Sequence, residues 1–361
     1  MQLRVWRLLR ATHRMFRPRM SRGSDGGNGP WLLPLAAPLI YLGYLSLAVV
    51  LETSAAGETV LFAEPGKNPA SAVSPIVFRD VAPASPFSYT SKNDSMQRKY
   101  YPQPMCGGVA ILDYDRDGKQ DVFFTNGAKL PELKKVDSSY YNCLLRNRGN
   151  GQFEDVTEKA GVAGANLDFC FGVAAGDYDN DGYPDLLICN AGPNALYHNN
   201  RNGTFTEVTA GSGLDLKPQD LLSVCAAWLD YDNDGLLDLV VSHYTYWSPR
   251  SDVRCSMGDQ DMYCSPRTYR SVPHSLYRNL GNGKFEDVTE KSGFVSALGK
   301  GMGIGIADFN ADGAVDVFVA NDTEPNFLYL NRKDGTFEEV GLMYGVAYND
   351  DGASVSGMGC D

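Results

Sequence analysis

Hydrophobic and polar positions along the chain follow two regimes. Residues 31–51, WLLPLAAPLIYLGYLSLAVVL, carry no charged side chain, whereas from residue 76 onward the apolar runs are short and alternate with clusters of Asp, Asn and Gly. A run of 21 uncharged residues matches the ~20 that cross a bilayer as a helix. Short runs bounded by turn residues read instead as β-strands.

The short runs recur as a unit. DYDRDGKQD begins at Asp113, DYDNDGYPD at Asp177, DYDNDGLLD at Asp230 and DFNADGAVD at Asp308, so the intervals between first aspartates are 64, 53 and 78 residues. Before each loop stands a glycine-rich apolar stretch such as CGGVAIL or FGVAAG, and after it a strand-like run such as DVFFTNG or DLVVSHY. NCLLRNRGNGQFEDVT, NALYHNNRNGTFTEVT, HSLYRNLGNGKFEDVT and NFLYLNRKDGTFEEV follow in turn, and an Asn-Gly or Asp-Gly pair between two apolar runs is a strong hairpin signal. Each unit therefore predicts four short antiparallel strands, with an insertion lengthening the third unit.

Such a repeat predicts an all-β fold: a β-propeller of four-stranded blades, four units plus an incomplete fifth, preceded by one apolar helix. A blade cannot bury both faces alone, and neighbours stacked around an axis cover them. The early IVFRDVA at 76 resembles the last strand of a unit and is expected to complete the final blade. At the other end GMGC, residues 357–360, aligns with GMGI at 301, so the fifth unit is expected to stop before its acidic loop. The expected organisation is a basic and apolar segment over 1–56, a linker over 57–75 and the propeller over 76–361.

The acidic loops carry the candidate chemistry. Counting the first aspartate as position 1, side-chain oxygens stand at 1, 3, 5 and 9: Asp113, Asp115, Asp117 and Asp121; Asp177, Asp179, Asp181 and Asp185; Asp230, Asp232, Asp234 and Asp238; Asp308, Asn310, Asp312 and Asp316. A glycine at position 6 permits a tight turn, and the backbone carbonyl of position 7, from Lys119, Tyr183, Leu236 or Ala314, is an expected further ligand. Hard oxygen donors in this number suit Ca²⁺, which takes about 6–8 oxygens, whereas zinc favours His or Cys. An EF-hand would need Glu at position 12, where this chain has Phe124, Ile188, Val241 and Val319. About four Ca²⁺, one per loop, are expected, with the fourth site weaker because Asn310 replaces an aspartate.

With those loops and their flanking strands in view, residues 76–361 resemble FG-GAP/VCBS repeats, the calcium-bearing blades also found in integrin α-subunit propellers. The arrangement FEDVTEKAGV, FGVAAGDYDNDGYPDLLICN and NALYHNN is most similar to bacterial proteins related to cartilage acidic protein, in which an ASPIC/UnbV domain commonly follows the propeller. The resemblance implies an exported, calcium-stabilised module for binding or adhesion and supplies no catalytic residues.

Charge and cysteine content extend this picture. The formal charge is −12, and seven arginines against Asp25 and Glu52 make the first 56 residues +5 and the remainder −17. An acidic module makes nucleic acid an unlikely partner. Arginines ahead of residues 31–51 keep the N-terminus cytoplasmic and direct the rest across. Ser54-Ala55-Ala56 suits a cleavage site, so signal peptide and retained membrane anchor both remain open. The eight cysteines all lie beyond that segment, where disulfides can form; Cys255 and Cys264 in the insertion are close enough to staple a loop. Of the four histidines, His243 opens the insertion beside Tyr244, Tyr246 and Trp247, where packing against the insertion is the expected role and a ligand-binding aromatic surface the alternative. No nucleophile elbow or phosphate loop occurs. The expected function is a calcium-binding, non-catalytic module for a protein or polysaccharide ligand, located in the periplasm, at the cell surface or outside the cell. A polysaccharide lyase or glycoside hydrolase on the same scaffold is the alternative.

Overall fold

The computed structural model describes residues 78, 80, 82–105, 107–215 and 220–360. The predicted apolar helix at 31–51, the linker at 57–75 and Cys106 lie outside these residues. Among the described residues no helix is long and apolar enough to cross a membrane. The predicted strand at 76 also falls mostly outside them; Phe78 and Asp80 belong to no strand, and Ala82–Ala84 forms a 3-10 turn.

Each predicted unit is a four-stranded antiparallel sheet whose strands pair in chain order. The first holds β1 (Val109–Leu112), β2 (Asp121–Phe124), β3 (Cys143–Gly149) and β4 (Gln152–Asp155); the second β5 (Cys170–Gly176), β6 (Asp185–Asn190), β7 (Ala195–Asn199) and β8 (Phe205–Glu207). In the third, β9 (Leu221–Leu229) and β10 (Asp238–Tyr246) precede a two-stranded hairpin, β11 (Cys255–Met257) and β12 (Gln260–Met262), before β13 (Ser275–Asn279) and β14 (Phe285–Asp287) close the sheet. The fourth comprises β15 (Gly301–Ala307), β16 (Asp316–Asn321), β17 (Phe327–Asn331) and β18 (Phe337–Glu339). The acidic loops join first to second strands, and the Asn-Gly or Asp-Gly turns join third to fourth, as the sequence predicts.

The core lies between the sheets. Side chains alternate across a strand, so β6 sends Leu186 and Ile188 against Phe123 and Leu144 of the first sheet while Leu187 and Cys189 meet Leu239 and Val241 of the third. All six residues of β6 are buried, which explains a run too continuously apolar for a half-exposed strand. Val240 and Leu276 of the third sheet pack in turn on Val317, Val319 and Tyr329 of the fourth. Fully burying each such aliphatic side chain contributes about 1.5–3 kcal/mol.

At the starts of the first strands the backbones of neighbouring units meet with no side chain between them. A Cβ added to Gly172 would lie 2.3 Å from the carbonyl oxygen of Val224, and one added to Gly108 would lie 2.7 Å from the Cα of Gly172. This close backbone approach accounts for the glycine-rich stretches ahead of each acidic loop. The predicted start of a fifth unit takes the equivalent place beside β15: a Cβ on Gly303 would lie 2.9 Å from the Cα of Gly359, and Ser356 bridges to Asp322 as Leu222 does to Ala191 between the second and third units.

Two segments without strand periodicity cover the end of the sheets away from the acidic loops. Residues 88–105 run from the first sheet, where the Tyr89 hydroxyl donates to the Thr125 carbonyl at 2.9 Å, to the insertion of the third, where Arg98 pairs with Asp252 at 2.9 Å. The insertion carries the predicted Cys255–Cys264 disulfide. Its Trp247 is buried and donates to Asp252 at 2.7 Å, and Tyr244 is buried between Tyr101 and Asp322, at 2.6 Å from each. The aromatic residues at 243–247 therefore pack against the insertion, as expected, with Tyr246 alone of them exposed. His243 is also buried, its ring between the Ser223 and Ser275 hydroxyls at 3.0 and 2.7 Å.

Candidate metal centres

Every acidic loop adopts one turn. Position 1 accepts two backbone N–H bonds: in the second loop, Asp177 Oδ1 from Asp181 at 2.9 Å and Oδ2 from Gly182 at 2.8 Å. Asp113, Asp230 and Asp308 do the same in their loops, within 2.8–3.1 Å. Position 5 (Asp117, Asp181, Asp234 or Asp312) accepts from the N–H of position 7, that is Lys119, Tyr183, Leu236 or Ala314, at 2.8–3.0 Å. Gly182 has φ +89°, a left-handed conformation costly for other residues. Position 4 is left-handed as well, at Arg116, Asn180, Asn233 and Ala311, which the sequence reading did not anticipate.

The closing aspartates, Asp121, Asp185, Asp238 and Asp316, are completely buried at the heads of the second strands. One oxygen of each accepts from the backbone N–H of position 2 (Tyr114, Tyr178, Tyr231 or Phe309) at 2.9–3.2 Å. The other accepts from the backbone N–H of a third-strand asparagine, Asn147, Asn199, Asn279 or Asn331, at 2.7–2.9 Å. Sequence reasoning missed this asparagine, although it recurs in all four third-strand motifs. Its side chain links units: Asn199, Asn279 and Asn331 donate Nδ2–H to the carbonyls of Tyr114, Tyr178 and Tyr231 in the preceding unit at 2.7–2.9 Å.

The fold brings predicted ligands of the first three loops together. Ligand atoms of Asp113, Asp115 and Asp121, of Asp177, Asp179 and Asp181, and of Asp230, Asp232 and Asp234 lie within 4.8 Å of one another, as do those of Asp179, Asp185 and His198. Burial, reinforced by the neighbouring carboxylates, pushes Asp121 up to about 6, Asp185 to about 8 and Asp238 to about 7. Basic groups approach from the rim: Arg146 is 2.6 Å from Asp115 and 3.2 Å from Asp117, Arg278 is 2.8 Å from Asp232, and Arg201 is 2.6 Å from Asp181. Even so, Oδ1 of Asp115 is buried without a hydrogen-bond partner. In the first loop, an oxygen donor set with an orphaned buried carboxylate oxygen fits a hard divalent cation.

Residues 113–188, 177–241, 258–319 and 308–357 each match the FG-GAP-like repeat. The chain belongs to this repeat family. It is 27% identical over 231 residues to cartilage acidic protein 1 of Mus musculus, covering 62% of this chain and 32% of that protein. Against the Xenopus tropicalis protein of the same name it is 28% identical over 234 residues, with the same coverage, 62% and 32%. The chain thus spans about a third of the length of the curated relatives it matches. Among solved structures, an Agrocybe aegerita lectin described as recognising non-reducing terminal N-acetylglucosamine aligns at a TM-score of 0.30, 14% identity and 64% of each chain. A rhamnogalacturonan lyase of Bacillus licheniformis aligns at 0.34 and 12%, over 70% of this chain and 53% of that one.

Proposed function

We propose that this chain is an exported calcium-binding β-propeller segment that serves as a binding or adhesion module for a protein or polysaccharide, without a catalytic role. The observation that supports the calcium reading best is the closing aspartate. Four carboxylates are completely buried and each is fixed by two backbone N–H groups, with further carboxylates beside Asp121, Asp185 and Asp238. Holding acids this way is costly unless a cation shares the site. The side chains at positions 1, 3, 5 and 9 and the carbonyls of Lys119, Tyr183, Leu236 and Ala314 would hold one Ca²⁺ per loop. Bound Ca²⁺ supplies charge neutralisation at the head of each second strand.

The propeller reading draws on the first strands, which follow one another side by side in unit order. Export draws on the arginine-rich stretch and the apolar run at 31–51. A polysaccharide lyase or hydrolase would need carboxylates free for acid–base work. The clustered carboxylates among the described residues are those of the loops, so catalysis there would compete with the cation.

A polar cavity of about 710 Å³ beside the first sheet, lined by residues including Tyr89, Lys92, Asn126, Tyr141 and Glu158, offers hydroxyl, amide and charged groups to a ligand. Isothermal titration of the chain with Ca²⁺, followed by glycan and protein binding arrays with and without the ion, tests the reading. Saturable Ca²⁺ uptake with calcium-dependent capture of a ligand is expected. Absence of uptake, or turnover of a polysaccharide on the array, overturns it.

A further inference from the structure

We propose that the residue immediately before the third-strand asparagine sets the net charge of its acidic loop, so that the fourth loop holds its cation as firmly as the first. This rests on the calcium reading above and replaces the expectation of a weaker fourth site.

Arg146, His198, Arg278 and Leu330 occupy this place, each one residue before Asn147, Asn199, Asn279 or Asn331. In the first three units the side chain meets the position 3 carboxylate: Arg146 to Asp115 at 2.6 Å, His198 to Asp179 at 3.4 Å and Arg278 to Asp232 at 2.8 Å. In the fourth unit both members of the pair are uncharged. Position 3 is Asn310, whose amide donates to Asp312 at 3.1 Å, and the strand residue is Leu330. Carboxylate and base are present together or absent together.

The consequence is a matched formal charge. Counting the ligand carboxylates and the strand residue that meets them, four carboxylates and the Arg146 guanidinium give the first loop −3, and three carboxylates with Leu330 give the fourth −3, while Arg116 at position 4 of the first loop turns to the Tyr183 ring of the second. One exposed lysine touches each of these two loops from the solvent side, Lys119 on Asp117 at 2.9 Å and Lys333 on Asp312 at 3.4 Å, so their equality persists when both are counted. A guanidinium in contact with a ligand carboxylate repels a divalent cation a few ångströms away. In a partly solvated site that repulsion weakens binding on the order of tenfold.

The test is a double-mutant cycle on the full chain, read as the summed log K for Ca²⁺ from competition with a chromophoric chelator. Asp115→Asn is expected to lower the sum by about one log unit, Arg146→Leu to raise it by about one, and the two together to return it to within about threefold of the starting value. Leu330→Arg, which removes no ligand, is expected to weaken the fourth site about tenfold and supplies an independent readout if a first-loop variant fails to fold. A double variant no tighter than Asp115→Asn alone, or a Leu330→Arg titration matching the unsubstituted chain, overturns the proposal and leaves the calcium reading standing. Absence of binding to the unsubstituted chain overturns both.

Discussion

Asn279 reaches out of the third unit and donates its Nδ2–H to the carbonyl of Tyr178 in the second, at 2.8 Å. The Tyr178 N–H donates to Asp185 at 3.2 Å, so the backbone of one residue joins an acidic loop to the neighbouring sheet. A cation held at Asp185 would therefore also steady the contact between units.

Asn279→Ala should destabilise the chain by about 2–4 kcal/mol. It removes the bonds to the Tyr178 and Leu237 carbonyls and leaves the Gly281 N–H without its side-chain acceptor. Among the described residues, the Asn147 side chain bonds within its own unit, to the Gln120 carbonyl and the Gly149 N–H. Asn147→Ala should cost about 1 kcal/mol, and urea unfolding of the two variants side by side checks the difference.

Calcium removal should lower the melting temperature. At 1 mM Ca²⁺, a site with a dissociation constant of about 10 μM adds roughly 2.7 kcal/mol of apparent stability. Differential scanning calorimetry with and without a calcium-specific chelator measures the effect. A chelator-insensitive transition would count against metal in the loops.

Acidification should destabilise the fold through His274. This side chain is completely buried, and burial pushes it from the usual 6.5 down to about 4. The unfolded chain protonates the imidazole first, so the contribution is complete above 6.5 and is lost as pH falls towards 4. The difference amounts to about 3 kcal/mol. Unfolding free energies of the native chain and of His274→Gln, followed across that window, should converge as pH falls.

Tyr244→Phe should loosen residues 88–105. The Tyr244 hydroxyl lies 2.6 Å from both the Tyr101 hydroxyl and the Asp322 carboxylate, and all three residues are buried. Its loss leaves two buried polar groups short of a partner, at about 2–3 kcal/mol. Limited proteolysis should cut the variant between 88 and 105 faster than the native chain.

What the sequence made legible was local. Aspartates at alternate positions, a glycine at position 6 and Asn-Gly pairs between apolar runs each act within about ten residues, and they placed the loops, hairpins and four-stranded sheets. Asn199, Asn279 and Asn331 were visible as a repeated letter, yet their acceptors lie in another unit, which spacing within one unit does not reveal. Residues 88–105 and the insertion lack periodicity altogether. Their order depends on distant contacts such as Tyr101 with Tyr244, 143 residues apart. Asp185 showed both limits: its place in the motif was readable, but its complete burial follows from the sheets packed around it.

The close approach at Gly108, Gly172 and Gly303 also bears on how such an array grows. Where main chain meets main chain, little of the join depends on which side chains a unit carries, and the asparagine contact likewise grips a carbonyl that every residue type possesses. A duplicated unit brings both halves of its own connector. It can be inserted beside an existing copy without a matching set of compensating changes next door.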